Sequence, residues 1–108
     1  MHEIKAIDRP ERVANVIGAL HERPDLPGVT ISFVEGVGRR REGTTRAEFG
    51  EVRMAKLETV VTTELREWVV DTIQRAAFTG RPGDGKIFVS DVEQALQIRS
   101  GKTGPEVL

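Results

Sequence analysis

The sequence predicts a single-domain α+β sandwich, one sheet with two helices laid over one of its faces. Two observations carry this. Apolar residues recur at period two in four short runs and at helical spacing in two others, alternating in the order β-α-β-β-α-β. The chain has 108 residues, of which 38% are hydrophobic and 31% charged, enough for one core and too apolar for disorder.

The opening run HEIKAIDR sets Ile4 and Ala6 between polar neighbours and reads as the first strand. Pro10 stands where a helix begins, since the first helical residue has no use for its amide proton. Val13, Val16, Ile17 and Leu20 follow at helical spacing, which predicts an amphipathic helix over 10–23, broken by PDLPG at 24–28. The next run, 29–38, places Val29, Ile31 and Phe33 on one face of a second strand. RMAKLETVV at 53–61 is the third. Thr62 or Thr63 can cap a second helix, with Glu64 and Glu67 near its positive end and Leu65, Val69, Ile73 and Ala76 as its buried stripe. Trp68 lies one position off that stripe and is expected to cover the edge of the core. The helix stops at TGRPGDGK, a fourth strand follows at 87–92, and a glycine-rich tail ends the chain. This order is the ferredoxin-like arrangement.

Sixteen basic and seventeen acidic residues leave a net charge of −1, unlike a general nucleic-acid binder. The arginine run at 39–41 is therefore a local feature, and the strand residues Phe33 and Phe88 lack the basic-aromatic surroundings that base stacking on RNA needs. With no cysteine there is no disulfide, thiolate site or cysteine nucleophile. His2 and His21 are isolated, so no metal site is expected, and no Ser/His/Asp set has supporting context. No stretch approaches the ~18 apolar residues that span a bilayer. No signal-peptide pattern opens the chain either, so the expected address is cytoplasmic, without membrane insertion.

The segment GRPGDGKI, 80–87, spells G-x-x-x-x-G-K, the core of a phosphate-binding loop. Ile87 stands where a magnesium-holding hydroxyl belongs, and the helix precedes the loop instead of following it, which argues against nucleotide hydrolysis of that type. Gly83 and Gly85 still let backbone amides approach an anion, with Lys86 adding charge and Thr79 a hydroxyl. A tight helix-to-strand turn is the plainer reading. IRSGKTG, 98–104, supplies a second glycine and basic loop with Arg99 and Lys102.

TGRPGDGKIFVSDVEQALQIRSGKTG closely resembles the C-terminal signature of the PII signal-transduction proteins. EIKAIDRPERVANVIGAL and GVTISFVEGVGR resemble the same family, so the likeness covers nearly the whole chain except the middle loop. The resemblance implies one domain over 1–108, assembled as a compact homotrimer. It implies a partner-binding T-loop at about 39–52, a phosphate-binding loop at about 79–86 and a C-terminal loop at about 98–108. It also implies adenine nucleotide (ADP, AMP or ATP) in clefts between subunits, a regulated partner such as a transporter or enzyme, and signalling without catalysis. Carried over, Gly83, Asp84, Gly85 and Lys86 match the phosphate loop, and Thr79 a threonine near the adenine. Ile7, Gly36, Val37, Gly38 and Arg39 match cleft-lining positions, and Thr30, Glu58 and Val60 match positions that frame the base. Arg99 matches one of two arginines reaching the phosphates from a neighbouring subunit, and Gln97 replaces the other.

The departures concentrate in the middle. Arg40 replaces the glutamine that in the family helps hold magnesium and 2-oxoglutarate, Met54 aligns with the lysine that pairs with the 2-oxoglutarate carboxylate, and no tyrosine exists to be modified. A guanidinium repels Mg²⁺ where an amide would chelate it. Five arginines (39, 40, 41, 46, 53) against three glutamates (42, 48, 51) give this stretch a local charge of +2. Arginine forks suit small oxyanions. Arg40 and Arg41 are thus candidates for an anion such as bicarbonate, as in PII-like proteins of carbon acquisition, or they are simply solvated or partner-facing. Retained 2-oxoglutarate sensing and weak nucleotide hydrolysis are the alternatives.

Overall fold

The structure, a computed structural model, describes residues 1–39 and 49–108. Strand β1 is His2–Asp8, helix α1 Val13–Leu20, β2 Thr30–Arg39, β3 Phe49–Val61, α2 Thr63–Ala77 and β4 Gly85–Asp91. The sheet order is β2-β3-β1-β4, with every neighbouring pair antiparallel. Each β-α-β unit therefore skips one strand, and the two units interleave as the ferredoxin-like fold requires.

The core is built at the two predicted periods. Ile4 and Ala6 from β1 alternate onto the helix side, and Leu57 and Ala55 of β3 stand opposite Ala6 and Asp8. Val16 and Leu20 of α1 and Leu65, Val69, Ile73 and Ala77 of α2 close over them. Each large aliphatic side chain so buried stabilises the fold by about 1.5–3 kcal/mol. Trp68 is half-buried at the core edge as expected, with the Arg23 guanidinium 5.2 Å from its ring centre.

Several boundaries shift. Pro10–Arg12 form a 3-10 turn before α1, and α1 ends at Leu20 in short turns, because Pro24 and Pro27 stop any continuation. The last member of the α2 stripe is Ala77, not Ala76, since steps of four from Leu65 keep to one face. Ala76 is half-buried, and its carbonyl accepts two bonds from Arg12, Nη2 at 2.6 Å and Nε at 3.0 Å. Ile31 and Phe33 do face the core side, opposite Leu57 and Ala55, but on an edge strand they stay well exposed, and the Arg53 guanidinium sits 4.7 Å over the Phe33 ring. β2 and β3 run into the predicted T-loop, pairing Gly38 with Gly50 and Arg39 with Phe49. Arg40 and Arg41 lie outside the described residues. Among those described, no helix is long and apolar enough to cross a membrane.

Candidate functional site

The glycine loop leaves α2 at Phe78, which turns to extended backbone, and enters β4 at Gly85. β4 begins two residues earlier than the sequence suggests, so Gly85 and Lys86 are strand residues and the loop proper is 79–84. Gly80, Gly83 and Gly85 all have positive φ. Gly85 is the most constrained of them: a Cβ there would stand 1.8 Å from the Ile7 carbonyl oxygen. Only glycine lets β4 close onto the end of β1 at this point.

Asp84 ties the loop together. Its carboxylate accepts the backbone N–H groups of Thr79 (2.8 Å) and Gly80 (3.0 Å), the Thr79 hydroxyl and Arg9 Nε (3.0 Å). Arg9 Nη2 also donates to the Pro82 carbonyl at 2.8 Å. These donors, the Thr79 hydroxyl foremost, hold the Asp84 carboxyl well below the usual carboxylate range. Asp84 and Thr79 thus shape the loop from within, the hydroxyl being already engaged by the carboxylate.

The strand register brings other predicted residues together on the sheet face that the helices leave uncovered. Ile7 pairs with Lys86 on one side and Lys56 on the other, so one row across three strands carries two ammonium groups around an apolar centre. In the next row Lys5 stands between Glu58 and Phe88, and Thr30 pairs with Glu58. Thr30, Glu58 and Val60 line one hollow of about 410 Å³ with Gly28, Glu3 and the terminal Leu108. Lys56 Nζ lies 3.7 Å from the Glu58 carboxylate. Val60 is four residues along β3 from Lys56, about 13 Å at the usual rise of a strand. The sequence reading missed Lys5 and Lys56, whose relevance appears only once the register is known.

Other residues are not gathered in. Gly36, Val37, Gly38 and Arg39 lie on the β2 arm against Phe49–Val52. Arg99 is exposed in a C-terminal hairpin closed by a Leu96–Thr103 bridge, with Gln97 N donating to the Lys102 carbonyl at 2.8 Å. Ile98, beside it, is 95% exposed.

This fold is shared with a class of regulatory proteins. A crystal structure of Arabidopsis thaliana PII bound to citrate superposes with a TM-score of 0.81 at 36% identity, covering 97% of this chain and 89% of that one. The family described as nitrogen regulatory protein P-II matches residues 1–102. Among curated relatives, the P-II protein of Bradyrhizobium diazoefficiens is 38% identical and that of Rhizobium meliloti 39%, each aligned over 100% of both chains. P-II protein 2 of Methanothermobacter thermautotrophicus is 39% identical over 100% of this chain and 97% of its own. The chain belongs to the nitrogen regulatory protein P-II family, whose members are regulators acting on partner proteins.

Proposed function

We propose that this chain is a ligand-gated regulator that binds adenine nucleotide in clefts between the copies of a homotrimer. The observation that carries the reading is the Asp84-tied glycine loop opening onto the row Lys56–Ile7–Lys86. Positive-φ glycines and two ammonium groups suit phosphates. The hollow of Thr30, Glu58 and Val60 offers hydroxyl, carboxylate and apolar surface for a base. Arg99, exposed in the C-terminal hairpin, would serve a neighbouring copy, and the bare Ile98 beside it favours such packing.

The ligand would act by binding some arrangements of the 39–52 segment better than others, and that segment would carry the signal to a transporter or enzyme. The second ligand is where this chain parts from 2-oxoglutarate sensing. Met54, a thioether beside Gly36, cannot pair with a carboxylate as lysine does. A small oxyanion such as bicarbonate at Arg40 or Arg41 fits the local charge better, and the solved plant relative is itself described as bound to citrate, an anion.

Calorimetric titration of ADP and ATP tests the nucleotide reading. Lys86→Ala should weaken binding by about 10- to 100-fold, the worth of one charged hydrogen bond. Unchanged affinity would remove the phosphate site. ADP affinity that does not respond to bicarbonate would end the coupling, whatever happens to the nucleotide itself.

A further inference from the structure

The alternation that buries Ile4 and Ala6 continues to Asp8, so a carboxylate takes the next core-facing place on β1. Asp8 is only 3% exposed, and both of its carboxylate oxygens are buried without a hydrogen-bond partner. It lines a cavity of about 350 Å³ between α2 and the β1–β4 ladder, whose rim takes in Ile7 and Lys86 of the open row. Val70, Ile73 and Phe78 give this cavity an apolar wall. Its charged lining is Asp8, Asp71 of α2, Asp84 of the loop and Lys86 of β4, three acids to one base. Two nearby guanidinium groups are engaged elsewhere, Arg9 with Asp84 and the Pro82 carbonyl and Arg12 with the Ala76 carbonyl, which leaves Lys86 as the base at the rim. Among the described residues, no three His, Cys, Asp or Glu side chains assemble as a metal site.

We propose that this cavity binds a small organic cation, an amidinium or primary ammonium on an apolar stem, with its N–H donors on the Asp8 carboxylate and its stem against Val70, Ile73 and Phe78. A buried carboxylate lacking donors is costly, and a ligand that brings two N–H groups and a positive charge relieves both deficits at once. The volume and the mixed lining suit a molecule of that size. The cavity adjoins the proposed nucleotide cleft, sharing Ile7, Asp84, Gly85 and Lys86 with it, and Asp8 itself pairs with Gly85.

Benzamidinium is a suitable probe, with neutral benzamide as its isostere, followed by calorimetry and by amide shifts over residues 70–78 and 85–87. Saturable benzamidinium binding is expected at about pH 7.5. Burial pushes the Asp8 carboxyl up to about 6, so protons should compete and weaken binding about tenfold at roughly pH 5. Benzamide should not bind, and Asp8→Asn should lose at least about tenfold in affinity. The proposal falls if benzamide binds equally, if Asp8→Asn binds at full strength, or if the wild type shows no binding at roughly 10 mM. Should Asp8→Asn fail to fold, the wild-type pH dependence and the benzamide comparison decide alone.

Discussion

Asp8 and Asp84 sit at the same end of one strand pair, yet their surroundings are opposite. Asp84 accepts bonds from Thr79, Gly80 and Arg9, and its carboxyl is held below the ordinary range. Asp8 lies behind the loop that Asp84 organises, accepts no bond, and is pushed up to about 6 by burial. The donors of the loop are spent on the outer carboxylate, and the inner one is left to the cavity. A short stretch of sheet edge can thus hold one acid that orders structure and another that waits for a ligand or a proton.

The largest effect should come from closing the seam between them. Gly85→Ala places a Cβ against the Ile7 carbonyl at a positive φ, and should cost about 3 kcal/mol or more in denaturant unfolding. A cost under about 1 kcal/mol would mean that β4 can retreat from β1 freely.

Next is the proton linkage of Asp8. Its carboxyl titrates near 6 when folded and near 3.9 when unfolded, so the folded state binds the proton more tightly. The stability contributed by this group is fully present below about pH 4 and is lost as pH rises to about 6, a change on the order of 3 kcal/mol. Asp8→Asn should flatten that slope. A slope that survives the substitution belongs to another group.

Asp84 has the reverse sign over the same acidic range. Its lowered carboxyl contributes stability above the unfolded value, about pH 4, and that contribution is lost on further acidification. Asp84→Asn should therefore lower Tm at neutral pH by less than Gly85→Ala does, and should lessen acid sensitivity below about pH 4. An unchanged acid limb would show that Asp84 is not the group being protonated there.

The fold was legible because its periods are clean. Ile4 and Ala6, the Leu65–Val69–Ile73 stripe and the breaks at 24–28 and 79–86 sufficed to order the elements, though β3 begins four residues and β4 two residues before the expected starts. The glycine loop was legible as a turn, since the glycines at 80, 83 and 85 take the positive φ that their residue type favours. Pairing was not legible. Lys5 and Lys56 join the open row, and Gly85 becomes a strand residue, only through a register that local sequence does not carry. Asp8 was missed: it follows Ile4 and Ala6 at period two and so shares their face, but nothing in the local sequence marks a carboxylate at a strand end as buried.

The seam between the helices has a practical side. Trp68 is the chain's one tryptophan and there is no tyrosine, so near-ultraviolet emission comes from a single ring stacked under Arg23. That ring belongs neither to the lining of the Asp8 cavity nor to that of the Thr30 hollow. Its glow is a built-in thermometer of helix packing, one that should stay quiet while ligands come and go at the sheet.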